Sequence, residues 1–241
     1  MTDILIVPDP HLRSFWRKVV NSNLPVVFLG DYVDPYRDSS FEAGWKEFED
    51  IIEFAKERPD NVTLLLGDHE GQYVGLSNSL ARFDFGRSHY IFNFLKENES
   101  LFTGAFIYNN ALFTHAGISK GWLKSWNLPE NPEMIKNYIN NHIKFSEHFV
   151  QPSYYEFDYF NNPCFDIGGS RGGNAIYGGP FWTDVEEMVY FSSAAFKGQI
   201  NQIFAHSQLK DTGTFIHLDN WWMCDSRAVF IWDGKELKLY N

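Results

Sequence analysis

Val26-Val-Phe-Leu-Gly30-Asp31-Tyr-Val-Asp34 sets four consecutive apolar residues before a glycine and two acids. An apolar run of this length reads as a strand buried on both faces, and the glycine lets the backbone turn sharply at its end. The same pattern recurs on either side. Upstream, the apolar residues 4–7 run into Pro8-Asp9-Pro10-His11; downstream, residues 62–66 run into Gly67-Asp68-His69-Glu70. Between the second and third runs, residues 41–58 place Trp45, Phe48, Ile51, Ile52 and Ala55 near helical spacing, with acids between them and Pro59 as a stop. That spacing predicts an amphipathic helix. Strands alternating with helices imply right-handed crossovers and a mostly parallel sheet, and open sheets of this kind bind ligands at the carboxyl ends of their strands. The order of elements therefore predicts a site at Asp9/His11, Asp31 and Asp68.

Residues 12–20 mix aromatic and basic side chains and read as helical, as do residues 87–98 and 132–149. Phe106-Ile-Tyr and Ala111-Leu-Phe-Thr flank Asn109-Asn110, a hairpin with a two-residue turn whose second strand runs into His115. Residues 202–205, 214–218, 228–232 and 237–240 read as further strands. Residues 150–183 are rich in Gly, Pro, Asn and aromatics, including Gly168-Gly-Ser-Arg-Gly-Gly173. A stretch of that length and composition reads as a functional loop or small cap for substrate recognition. The whole chain, 1–241, reads as one domain carrying that cap.

The chain has 241 residues, 44% hydrophobic and 18% aromatic, enough to bury a sizeable core. Its formal net charge is −11 and it has no basic run, which argues against a nucleic-acid footprint but not against a small anionic substrate held at a locally positive site. The two cysteines, Cys164 and Cys224, read as free thiols in a reducing compartment. The N-terminus reads as a first strand with no basic leader, and no run approaches the roughly 20 apolar residues of a membrane helix. A cytoplasmic protein without a membrane segment is expected, and the oligomeric state is left open.

Five polar clusters carry the chemistry: Asp9-Pro-His11, Gly30-Asp31-Tyr-Val-Asp34, Gly67-Asp68-His69-Glu70, Thr114-His115-Ala-Gly117 and Ala205-His206-Ser-Gln208. Carboxylates with imidazoles suit manganese, iron, zinc or nickel better than calcium. A bridging carboxylate such as Asp31 can hold two ions roughly 3.5–4 Å apart, a spacing that suits displacement at phosphorus. Any one cluster has a plainer reading as a turn, a helix cap or a satisfied core histidine; five in order do not. His89, His142, His148 and His217 fit no cluster and read as structural or solvated; Arg13 and Arg227 read as structural, with the alternative that either reaches the site.

These motifs, in this order over residues 9–208, resemble those of the calcineurin-like metallophosphoesterases, and among them the phosphoprotein-phosphatase branch. The resemblance implies an α/β (by some schemes α+β) four-layer αββα sandwich with two mixed sheets and the metals at one edge. It implies that Asp9, His11 and Asp31 hold one divalent ion, and that Asp31, Asp68, His115 and His206 hold another, manganese foremost. A hydroxide held between the ions would attack the phosphorus of a phosphorylated substrate, His69 would protonate the leaving oxygen, and Asp34 would orient His69. A phosphate monoester is the expected substrate. A phosphodiester or dinucleoside polyphosphate would use the same core, and a metal-stabilised binding module would keep the ligands without turnover. Two departures stand out. Asp68 replaces the family's Asn, which leaves two divalent ions with three carboxylates and a net charge of +1 instead of +2. Pro35 replaces an Arg that would clamp phosphate, and Arg171 and Arg37 are the expected substitutes.

Overall fold

The computed structural model describes residues 2–36, 38, 40–79, 81–150 and 162–241. Arg37 and residues 151–161 of the expected cap lie outside the described residues. Two mixed sheets form the centre, one six-stranded and one five-stranded. The first begins with parallel neighbours β1 (Ile4–Val7), β2 (Val26–Phe28), β3 (Val62–Leu65) and β4 (Phe102–Thr103). The second contains β5 (Ala105–Tyr108), β6 (Ala111–Thr114), β7 (Asn201–Phe204), β8 (Ile216–Leu218) and β9 (Trp221–Met223), in the order β5-β6-β7-β9-β8. The chain then returns to the first sheet, where β10 (Phe230–Trp232) pairs antiparallel with β1 and β11 (Leu237–Leu239) forms the edge.

Side chains alternate across each strand, and here both faces are covered. Ile4, Ile6, Val27, Leu29 and Leu65 meet Phe113, Ile203 and Trp222 in the layer between the sheets. Leu5, Val7, Val26, Phe28 and Leu64 point the other way, into the cluster that holds Phe48, Ile51 and Ile52 of helix α1 (Phe41–Glu57). That double coverage is why β1 to β3 are apolar at nearly every position instead of at every second one. Ser40 caps α1 by accepting from the Ala43 N–H.

Helices α2 (Asp68–Tyr73), α3 (Ser88–Glu97) and α4 (Lys120–Ser125) follow. The predicted helix over 132–149 stops early, as α5 (Pro132–Asn141). Its Asn140 is committed to the neighbouring sheet, accepting from Gly104 and Ala105 N–H at 2.9 and 2.8 Å. Residues 12–20 make only a 3₁₀ helix, Ser14–Val19. The Asn109-Asn110 turn is left-handed at both residues (φ 44° and 62°), as a two-residue hairpin of this type requires. Strand β9 is missing from the sequence reading; its three residues directly follow the turn at Asp219-Asn220, too short a run to show a period.

The loops after β2 and β3 meet almost backbone to backbone. Gly30 is left-handed (φ 101°), and a Cβ on it would lie 2.6 Å from the Gly67 Cα; one on Gly67 would collide with Asp31. The buried Glu70 carboxylate holds this junction. It accepts from the backbone N–H of Asp31 (2.9 Å), Tyr32 (2.8 Å), Val33 (3.2 Å) and Gly67 (3.0 Å). An amide at position 70 would turn an N–H against these donors, and each buried donor left unpaired costs about 1–3 kcal/mol. Glu70→Gln should therefore lower the urea midpoint clearly at pH 8; an unchanged midpoint would show that the clamp carries no stability.

Candidate metal centre

All five polar clusters sit at the carboxyl ends of strands. Asp9 and His11 follow β1, Asp31 and Asp34 follow β2, and Asp68 and His69 open α2 after β3. His115 follows β6 and His206 follows β7, so donors arrive from both sheets. His11, Asp31, Asp34 and His206 adopt left-handed backbone conformations (φ 43°, 58°, 54° and 67°), which non-glycine residues do at a cost and which cluster at functional sites.

The donor atoms of Asp68, His115 and His206 converge, as do those of His11, Asp31 and His69, and those of Asp9, Asp31 and His115. Asp31 belongs to two of these groups. Asp9 shares a group with Asp31 and His115. His115 donates Nδ1–H to the Leu29 carbonyl (2.7 Å), which leaves its Nε2 at 2.9 Å from Asp68 Oδ1 and 3.1 Å from His206 Nδ1, donating to the carboxylate when protonated and free to hold a cation when not. His11 likewise donates Nδ1–H to the Val33 carbonyl (2.8 Å) and turns Nε2 toward Asp31 Oδ2 at 3.2 Å. Backbone carbonyls that fix the imidazole tautomer in this way are the usual outer shell of a metal ligand.

Such a collection of acceptors is unstable without positive charge. Asp9 Oδ1 and His206 Nε2 are buried with no hydrogen-bond partner. Burial disfavours the His115 imidazolium, yet the carboxylates of Asp31, Asp9 and Asp68 outweigh it and hold that ring well above its usual range. Burial and the Asp225 charge push the Asp9 carboxyl up. The cluster therefore gathers protons when nothing else neutralises it, and divalent cations fit the same donors.

His69 stands beside this cluster. Its Nδ1–H donates to Asp34 Oδ2 at 2.7 Å; Gln72 donates to the same oxygen, and the Tyr73 hydroxyl to Asp34 Oδ1. The His69 Nε2 is thereby aimed outward, where the Arg82 guanidinium lies at 3.0 Å. Arg82 Nη2 also approaches His11 Nε2 (3.3 Å), Nη1 donates to the Asp34 carbonyl, and the guanidinium lies 3.7 Å over the Tyr36 ring.

A cavity of about 180 Å³ brings Asp31, Asp68, His69 and His206 together with two arginines, Arg82 and Arg171. Arg171, expected from the sequence, is held by an ion pair with Asp184 (2.5 Å) and a hydrogen bond to Ser207. Arg82 was passed over. It lies in an irregular segment after α2 with no motif around it, so nothing in the sequence pointed to it. Asp225 was also missed. It ends β9 as the other acids end their strands, and the apolar run Trp221-Trp-Met-Cys before it was the available signal.

The calcineurin-like phosphoesterase family matches residues 2–222, and the chain belongs to that family of divalent-metal-dependent hydrolases. No curated protein sequence matches the chain significantly. Among solved structures, it resembles a cold-active protein-tyrosine phosphatase of a psychrophilic Shewanella species (TM-score 0.57, 14% identity, covering 98% of this chain and 77% of that one). A variant of a cold-active protein tyrosine phosphatase gives a TM-score of 0.62 at 14% identity, over 98% and 77% of the two chains. A protein serine/threonine phosphatase from Saccharomyces cerevisiae with similarity to human phosphatase PP5 gives 0.51 at 18% identity, over 95% and 72%. At these identities the likeness is one of fold.

The protonation pattern has a measurable consequence for the metal-free protein. Burial lowers His69, but Asp31, Asp68 and Asp34 overcome it and raise the ring to about 9. Burial and the Asp31 charge raise Glu70 to about 7. Both groups bind protons more tightly when folded, so their stabilisation is present at low pH and lost as pH rises through those values. His11 and His206, which are depressed chiefly by burial, act in the opposite sense as pH rises through their ordinary value of 6.5, and less so above it. Between pH 6.5 and 9 the melting temperature of chelator-stripped protein should fall, and that of metal-loaded protein should fall less. A flat or rising curve for the stripped protein would contradict this charge pattern.

Proposed function

We propose that the chain is a dinuclear-metal phosphatase acting on phosphate monoesters, with Asp9, His11, Asp31, Asp68, His115 and His206 holding two divalent ions, manganese foremost. One observation carries the reading: candidate metal donors, an outward-facing imidazole and two guanidinium groups share one small cavity. When bound, the ions supply Lewis acidity and a water nucleophile at neutral pH.

The chain's own residues perform the rest. Arg82 and Arg171 bind the peripheral phosphate oxygens, and two guanidinia match a monoester dianion better than a diester's single charge. His69 donates the Nε2 proton to the leaving oxygen, and Asp34 holds the ring through Nδ1 so that only Nε2 turns outward. Arg82 lies 3.0 Å from that same Nε2, so one bound phosphate can meet the guanidinium and the leaving-oxygen acid together. Arg82 thus takes the place of the clamp that Pro35 lacks. Trp182, edge-on to His206 at 5.3 Å between ring centroids, and Arg171 both come from residues 150–183, which supports that stretch as the recognition element. Both sheets supply donors, which supports 1–241 acting as one domain, and the buried unpaired cysteines fit a cytoplasmic setting.

With manganese, the protein should hydrolyse p-nitrophenyl phosphate faster than bis(p-nitrophenyl) phosphate. His69→Asn should lower kcat by about 10²–10⁴. Arg82→Ala should lower kcat/KM by about tenfold or more, the loss of one charge-assisted contact. Turnover that survives complete metal removal, or that ignores Arg82→Ala, would contradict the reading.

A further inference from the structure

Next to the metal-centre cavity, across Tyr36 and Arg82, lies a second, larger one of about 480 Å³, lined by Arg13, Arg82 and Arg227 with Tyr36, Asp38 and Gln208. Arg82 and Tyr36 line both cavities. The Tyr36 ring carries two guanidinium groups, Arg82 at 3.7 Å and Arg13 at 4.8 Å from its centroid, with His11 edge-on at 4.9 Å. In a chain of net charge −11, three arginines against one acid among the described residues of a single cavity is a local inversion of sign.

These arginines also have unspent donors. Arg13 pairs with Asp38 through Nε and Nη2, but its Nη1 is buried without a hydrogen-bond partner. Arg227 donates Nη2 to the Lys210 carbonyl, while its Nε is buried without a partner. Among the described residues neither Arg82 nor Arg227 forms an ion pair with a carboxylate. Surface arginines elsewhere do: Arg17 pairs with Glu47 and Asp50, and Arg87 with Asp84. With Asp38 committed to Arg13, the guanidinium groups outnumber the carboxylate and repel one another, and an anion between them relieves that repulsion and satisfies the spare N–H groups. Gln208 adds an amide donor and Tyr36 a hydroxyl.

We propose that this second cavity is an anion subsite for a second phosphate group on the same substrate, so that the preferred substrate is a bisphosphorylated molecule with its reacting phosphate at the metal centre and its distal phosphate between Arg13 and Arg227. The inference rests on the phosphatase reading for the reacting end. Arg82, common to both cavities, spans the two anionic groups. Arg13 and Arg227 take no part in the reaction and read anionic context only.

Binding of two non-hydrolysable probes separates the inference from the reading beneath it. Butylphosphonate and 1,4-butanebisphosphonate are titrated calorimetrically into manganese-loaded wild type and into Arg227→Gln. The bisphosphonate should bind wild type about tenfold or more tightly than the monophosphonate. Arg227→Gln should remove most of that advantage and leave butylphosphonate affinity unchanged. Equal affinities in wild type, or an advantage that survives Arg227→Gln, would overturn the subsite. Should Arg227→Gln unfold, Arg13→Gln replaces it under the same criteria. Failure to hydrolyse p-nitrophenyl phosphate bears on the phosphatase reading alone, because neither probe is turned over.

Discussion

Four backbone N–H groups from two separate loops converge on the Glu70 carboxylate, and the geometry of the centre depends on that convergence. The loop after β2 must hold Asp31 and Asp34 in left-handed conformations, and the turn after β3 must pass within contact of Gly30. Neither loop has a ladder partner there to satisfy its donors. Glu70 satisfies both, and it sits one residue beyond His69 in the same short helix. The element that presents the candidate acid therefore also fixes the bridging candidate, Asp31, and ties together two strand ends that have no sequence neighbours in common.

Charge explains the rest of the arrangement. Asp9, Asp31, Asp68 and Asp225 are buried beside the imidazoles of His11, His69 and His115, with His206 half-buried, an arrangement that only protons or cations can neutralise. Asp225, raised to about 6 by burial and by the charge of Asp31, adds a carboxyl behind Asp9 and makes the centre more acidic still. Asp68 works in the same direction. A site this acidic holds its cations tightly and attracts a phosphate dianion less, and the arginines around the mouth offset that second effect. Three of the four that line the two cavities, Arg13, Arg82 and Arg227, lie away from the glycine-rich loop in which Arg171 sits.

The buried strands β1 to β3 and the polar clusters at their ends were legible because both physical signals are local. A strand covered on two faces is apolar throughout, and its end is marked by glycine and acid. The Asn109-Asn110 turn is equally local. Arg82 was not legible, because its position depends on how a segment without secondary structure folds back over Tyr36. Asp225 was hidden for a different reason: β9 is three residues long, and its end reads as one more loop acid. The early stop of α5 at Asn141 also comes from a tertiary bond, Asn140 to the backbone at Gly104 and Ala105, that periodicity does not contain.

The central claim is that the strand-end acids and imidazoles form a two-cation centre bridged by Asp31. Its most direct test is elemental analysis of purified protein after saturation with manganese or zinc and removal of free ion, for wild type and Asp31→Asn side by side. The account expects two ions per chain in wild type and a clear loss in Asp31→Asn. One ion or fewer in wild type, or an unchanged count in Asp31→Asn, would contradict it.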